Sequence, residues 1–194
     1  MQRLTFKYRS YTPIPFLIII VVVAEPTLPS LVIGLLIVIV GESVRFWGVS
    51  IAGSETRTTR MVGGSHLVTS GPFAYVRNPL YVGNIMVYVG IGVMSMALFP
   101  WLLIIACLWF YVQYRLIVAW EEEFLLQRFG AEFADYQKHV RRFLPRMTKY
   151  VPSAPAPRTM NAQIGLTSER RTLQAIALVT LMVVTVYVVQ HWQL

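Results

Sequence analysis

The sequence predicts an all-α integral membrane protein with about five transmembrane helices. Three observations predict it. The first is composition: the 194 residues are 56% apolar and 13% charged, against about 45–50% and about 25% in a soluble domain. The second is a set of five apolar stretches, judged against the roughly 20 residues a spanning helix needs. The third is charge: with five spans, all 17 Lys and Arg residues fall on one side of the membrane. A mean hydropathy of +0.57 agrees. These figures exclude a disordered chain, a coiled coil, a collagen and a typical soluble enzyme.

The first span covers residues 11–24, with Pro13 and Pro15 tolerable near a helix start. Its basic leader and Val22-Val23-Ala24 also resemble a secretory signal and its cleavage site. Pro26 lies close to that cut, so the segment is read as one half of a helical hairpin. Glu25-Pro26-Thr27-Leu28-Pro29 makes the turn into span two, residues 29–52. Span two carries Glu42 and Arg45, three residues apart and able to pair on one face. An intramembrane pair of this kind is either a structural ion pair or a substrate contact.

Spans three and four, 79–98 and 100–120, are separated by Phe99 alone and form a tight hairpin. Beyond them, Phe129, Phe133, Tyr136, Val140 and Phe143 recur at helical intervals, with Glu132, Asp135, Lys138, Arg141 and Arg142 on the other face. This predicts an interfacial amphipathic helix over 131–143, ended before Pro145 and either anchoring the chain or covering the preceding segments. Residues 1–150 then form the core. Residues 151–172, with Pro152, Pro155 and Pro157, read as a linker. Residues 173–194 hold an appended last span.

Sidedness follows from the charges. Arg3, Lys7 and Arg9 precede span one; Arg57, Arg60 and Arg77 lie between spans two and three. The remaining basic residues outside the spans lie between spans four and five. The positive-inside rule puts the N-terminus in and the C-terminus out. The net charge of +8 is thereby explained by topology and lipid headgroups, and no nucleic acid is expected. Cys107 is the single cysteine, which excludes an intrachain disulfide and a CxxC motif. His66, His139 and His191 lack metal-ligand spacing, so no metal is expected. There is no G-x-G-x-x-G, P-loop or nucleophile elbow.

Two cytoplasmic segments carry the chemistry. Asn78-Pro79 reads as a helix start, with Asn capping amides and Pro at the first helical position. That N-terminus favours an anion, and Arg77 adds charge beside it; an ordinary cap with a snorkelling Arg fits the same residues. At the end of span four stand Glu121, Glu122 and Glu123. The helix is expected to continue through Leu125, Leu126 and Phe129, which aims Glu121 and Glu122 about 100° apart. A carboxylate on an apolar face near a membrane calls for a cationic partner, in the protein or on a ligand.

Taken together, Leu67-Val68-Thr69-Ser70-Gly71-Pro72-Phe73, Arg77-Asn78-Pro79-Leu80-Tyr81-Val82-Gly83, Glu121-Glu122, Phe129-Gly130, Tyr136 and Pro145 resemble the isoprenylcysteine carboxyl methyltransferase and phospholipid methyltransferase superfamily of membrane enzymes. The resemblance covers about residues 42–145. It implies S-adenosyl-L-methionine as methyl donor in a cytoplasmic pocket. It also implies a cofactor site lined by Ser65, His66, Leu67, Val68, Phe73, Asn78, Pro79, Leu80, Tyr81 and Glu121. On that reading the donor's carboxylate sits at the start of span three near Arg77, and its amino group or sulfonium near Glu121. Phe73, Tyr75 or Tyr81 packs on adenine.

A lipid-like or prenylated acceptor would enter from the bilayer, near Glu42 and Arg45. A carboxylate acceptor needs no base but wants a cation; an amine acceptor needs a base, for which Glu122 stands ready. The isoprenylcysteine enzymes carry an Arg about one turn before the Glu pair. Ile117 occupies that position here, and Arg115 is the nearest substitute. The expected reaction is isoprenylcysteine-type carboxyl O-methylation, with phospholipid amine N-methylation as the alternative. A membrane NADPH-dependent reductase and a non-enzymatic scaffold are remoter readings.

Overall fold

A computed structural model describes residues 11–53, 66–152 and 159–192. Among the described residues the chain forms five α-helices and no strand: α1 (Ile14–Val22), α2 (Leu28–Ala52), α3 (Pro79–Ser95), α4 (Trp101–His139) and α5 (Ala162–Trp192). A short 3-10 turn spans Gly71–Ala74. Three helices, α2, α4 and α5, are long and apolar enough to cross a membrane. At nine residues α1 rises only about 13 Å, less than half the hydrocarbon thickness of about 30 Å.

The α2–α3 hairpin is the spine of the molecule. Thr27 caps α2: Ser30 N donates to Thr27 Oγ1 at 3.2 Å, and Thr27 N donates to Ser30 Oγ at 2.9 Å. The two helices then run antiparallel at very close range, because glycines recur every seven residues on both. A Cβ on Gly34 would stand 2.5 Å from the Gly90 carbonyl oxygen, and one on Gly41 2.9 Å from that of Gly83. This contact brings Arg45 on α2 against Gly83 on α3.

Large apolar side chains on α2, α4 and α5 face outward, among them Leu36, Ile39, Ile105, Leu108, Trp109, Val112, Leu178 and Leu181. That surface suits lipid as solvent and would be a large apolar patch in water. Inside, Val38, Val87, Ile91, Met94, Leu102, Val179 and Val183 form one core cluster, and Phe110, Tyr114 and Ile117 a second.

Helix α4 continues past the three acids, as expected. Its 39 residues would reach roughly 58 Å if straight, about twice the hydrocarbon thickness. The bend falls at Gly130, with φ +51°. The helical tail after that bend ends at His139, so the expected interfacial helix over 131–143 is corrected to a shorter tail continuous with α4. Val140 is already extended, and the Arg77 guanidinium takes the carbonyls of Gln137 and Val140 at 2.8 and 2.9 Å. A further helical turn would need those carbonyls for its own amides.

The last helix also differs. It starts at Ala162, eleven residues before the expected Leu173. Asn161 starts it: its side chain accepts from Ile164 N at 3.1 Å, and its own N–H donates to the Ser50 carbonyl at 2.9 Å. At the far end, Gln190 donates to the Ala24 carbonyl at 3.0 Å. The helix thus lies along the whole of α2.

Candidate functional site

Glu122 organises the end of the molecule where α3 begins. It is buried, and both oxygens are taken. Oε1 accepts from Arg77 Nε at 3.1 Å and Arg142 Nε at 3.2 Å; Oε2 accepts from an Arg142 terminal nitrogen at 2.5 Å. Two guanidiniums against one carboxylate meet the requirement for a buried charge to be paired and hydrogen-bonded. The backbone completes the clasp. Arg77 N donates to the Arg141 carbonyl, Arg146 N to that of Tyr75, and Tyr150 N to that of Ala74, at 2.9–3.0 Å. The Tyr136 hydroxyl donates to the Phe73 carbonyl at 2.6 Å. Segment 140–150 is therefore strapped across segment 73–78.

Beneath the strap, Phe133, Tyr136, Val140 and Tyr150 make a small core with Leu67 and Phe129. Tyr150 donates to Asp135 Oδ2 at 2.8 Å. Burial, then the hydrogen bond and charge of Asp135 with a contribution from Glu132, push the Tyr150 phenol up to about 12.

Glu121, next in sequence, points elsewhere. Its Oε1 accepts from the Tyr81 hydroxyl at 2.8 Å. Tyr81 in turn packs on Tyr114, with ring centroids 4.7 Å apart. Phe110 then stacks on Tyr88 at 4.3 Å and meets Phe16 at 5.4 Å. This aromatic column leads away from Glu121 into a partly open apolar cleft lined by Phe16, Leu17, Ile20, Tyr88, Gly92, Leu102 and Phe110 among others.

A second ionic cluster lies one helical turn from Tyr81. Arg45 Nε donates to Glu42 Oε2 at 3.1 Å, so the pair expected from the spacing forms. Arg45 also donates to Asn84 Oδ1, to Glu169 Oε2 and, at 3.5 Å, to Thr172 Oγ1. Glu169 comes from α5 and is 2% exposed.

The other expected site residues divide clearly. Arg77 is spent on Glu122 and two carbonyls rather than left beside the helix start. Asn78 precedes α3, and Pro79 opens it, but the Asn78 side chain makes no cap. Its amide donates instead to the Arg142 carbonyl at 3.1 Å. Phe73 and Tyr75 lie in the strapped segment, with Tyr75 6.4 Å from Trp47 ring to ring. Leu80 packs near Gly48. Val68 is half-buried and His66 exposed. Ser65 lies outside the described residues. Arg115 faces outward, over the Tyr111 ring and 3.3 Å from its hydroxyl, and is not brought to the Glu pair. Ile117 is fully buried.

Sequence reasoning missed Arg142 as a partner of Glu122, and Glu169. Arg142 is one of several basic residues on an amphipathic stretch and carries no distinguishing signal. Glu169 did carry one: an acid four residues beyond Gly165, in a stretch read as linker.

The phospholipid methyltransferase family model matches residues 29–132, which include both ionic clusters except Arg142, Glu169 and Thr172. The chain is 33% identical over 121 residues to the cobalt-zinc-cadmium resistance protein CzcN of Cupriavidus metallidurans, covering 62% of this chain and 51% of that protein. It is 36% identical over 115 residues to protein-S-isoprenylcysteine O-methyltransferase of Rattus norvegicus, covering 58% and 40%. For the enzyme of that name from Tribolium castaneum the figures are 32% over 123 residues, 61% and 42%. The chain thus spans about half the length of the curated relatives it matches. No solved structure matches it significantly. With more than half of its residues under the family model, the chain belongs to the phospholipid methyltransferase family.

Proposed function

We propose that this protein is an S-adenosylmethionine-dependent membrane methyltransferase acting on a lipophilic acceptor at the cytoplasmic interface. The observation that carries the reading is Tyr81 donating to Glu121 at the start of α3. Family membership and relatives named as methyltransferases support it. A half-buried carboxylate oriented by a phenol is a fitting partner for an ammonium or sulfonium, and the helix start beside it suits a carboxylate. Both groups occur on one end of the donor.

When bound, S-adenosylmethionine supplies a methyl group activated by its sulfonium. The protein's part is alignment and exclusion of water. Glu121 and Tyr81 hold the cationic end. The strap tied by Arg77, Glu122 and Arg142 closes over Phe73–Asn78 and keeps that wall fixed. The aromatic column and apolar cleft offer a path for a hydrocarbon chain. Glu122, with both oxygens already accepting from guanidiniums, serves better as the anchor of the strap than as a base.

The names of the relatives support a prenylated carboxylate as acceptor. A second reading, N-methylation of a lipid amine, is favoured by a specific observation. Arg77, Arg142 and Arg45 are each committed to internal carboxylates, and Arg115 faces outward. We further read the basic end of the molecule, where α3 begins, as cytoplasmic, and the end of α5 as lying on the opposite side.

Calorimetric titration with S-adenosylhomocysteine tests the donor site; micromolar binding is expected, and none would overturn the reading. Labelled donor then separates the acceptors: base-labile methyl on a farnesylcysteine analogue against methylated ethanolamine lipid.

A further inference from the structure

We propose that Glu42 and Glu169 decide which acceptor headgroup is taken: Glu42 anchors a headgroup bearing an ammonium, and Glu169 withholds Arg45 from an anionic one. The proposal rests on the methyltransferase reading above and names the acceptor end of the same site.

Two carboxylates, Glu42 and Glu169, share one guanidinium, Arg45. One formal negative charge is left over within the membrane-spanning part of α2. Glu42 is 8% exposed, and its Oε1 is buried with no hydrogen-bond partner. A buried carboxylate oxygen without a donor is costly, and a cationic donor on a ligand is what it lacks. Arg45, by contrast, has its Nε and both terminal nitrogens engaged, by Glu42, Asn84, Glu169 and Thr172. The buried atom left without a partner in this cluster is therefore an acceptor, Glu42 Oε1.

Position ties the cluster to the donor site. Asn84 and Tyr81 are three residues apart on α3, about 4.5 Å along the axis and on one face. Tyr81 touches Glu121 and Asn84 touches Arg45. A headgroup held at Glu42 would thus lie one turn from the place proposed for the methyl donor. The last helix is built to deliver Glu169 there. Gly165, one turn earlier, lets α5 approach α2 so closely that a Cβ would meet Ser50 Oγ and Phe46.

The test uses the full chain in phosphatidylcholine vesicles, with phosphatidylethanolamine and S-farnesyl-N-acetylcysteine as rival acceptors and S-adenosylhomocysteine as binding probe. For Glu42→Gln we expect the KM for phosphatidylethanolamine to rise about tenfold or more, with S-adenosylhomocysteine affinity within about twofold of the parent. Should that variant not fold, Glu42→Asp keeps the charge, shortens the reach and shifts KM the same way. For Glu169→Gln, kcat/KM for the carboxylate acceptor relative to the amine should rise about tenfold. Folded variants that move neither ratio beyond about twofold would overturn the proposal, as would a parent that methylates the carboxylate alone. A parent that does not bind S-adenosylhomocysteine overturns the methyltransferase reading itself, and this proposal with it.

Discussion

Arg77 and Glu122 meet at 3.1 Å across forty-five residues of sequence, and that contact sets the aim of the residue next door. Glu121 and Glu122 are about 100° apart on α4. Once Glu122 is held by Arg77 and Arg142, Glu121 is turned toward Tyr81 on α3. The acid pair therefore divides its work. One carboxylate holds the strap, and the other takes the Tyr81 hydroxyl at the start of α3. The same guanidinium of Arg77 ends the helical tail of α4 by taking the Gln137 carbonyl and that of Val140 just beyond the helix.

Removing the anchor should therefore cost stability before it costs chemistry. Glu122→Ala leaves the partly buried Arg77 and Arg142 without their counter-charge. Breaking one partner of a buried ion pair typically costs about 3–5 kcal/mol. A lower melting temperature in detergent and faster proteolysis within 140–152 are expected. Asn78→Ala removes a single hydrogen bond to the strap, at the Arg142 carbonyl, and should cost about 1 kcal/mol. A variant of Glu122 that melts like the parent would show that the strap is not held there.

The donor site is tested by its own pair. Glu121→Ala should weaken S-adenosylhomocysteine binding about tenfold or more, because a charge-assisted contact contributes about 1.5–3 kcal/mol. Tyr81→Phe keeps the ring on Tyr114 and loses only the bond to Glu121, so a smaller loss is expected. The double variant should lose less than the sum, since both act on one carboxylate. Full additivity by calorimetry would mean that Tyr81 does not work through Glu121.

Much of this was legible in the chain. The tight connection between α3 and α4, the continuation of α4 past its acids, the divergence of Glu121 and Glu122 and the Glu42–Arg45 pair follow from local signals, whereas the expected hairpin of span one with span two gives way to the close α2–α3 pairing. What was not legible depends on partners distant in sequence. Nothing near Asn78 says that its side chain turns to Arg142 instead of capping α3. Nothing near Arg77 says that its charge is consumed by Glu122. The early start of α5 escaped because residues 162–172 carry too many polar and charged letters, Glu169, Arg170 and Arg171 among them, to read as part of an apolar span. The seven-residue recurrence of Gly34, Gly41 and Gly48, matched by Gly83 and Gly90, was present in the sequence as a packing signal.

Alkaline pH should loosen the strap through Tyr150. A phenol is neutral when protonated, and the folded state raises its value to about 12 from an unfolded value of about 10. The folded state thus binds the proton more tightly. The stabilisation is fully present below about pH 10 and is lost as pH rises through about 12. Parent and Tyr150→Phe should differ most in melting temperature below pH 10, in the parent's favour, and converge above it. A constant difference from pH 8 to 11 would show that Tyr150 does not titrate into the strap's stability.

The closest helix contact makes a graded prediction. At Gly34 an added Cβ would meet backbone atoms of Gly90 and Met94 at 2.5–2.7 Å. Backbone cannot step aside without moving the whole α2–α3 interface. At Gly48 the obstacle is Leu80 Cδ2 at 2.9 Å, the end of a side chain that can rotate. Gly34→Ala should therefore destabilise by about 1–3 kcal/mol, the usual cost of overpacking. Gly48→Ala should cost less, because Leu80 can rotate away and the gain of about 1 kcal/mol of alanine over glycine, common to both sites, is then less offset. Thermal melts of the two variants in one detergent make the comparison. Equal losses would mean that the glycines are not there for close approach. A larger loss at Gly48 would instead place the tightest packing beside Leu80 and the candidate site.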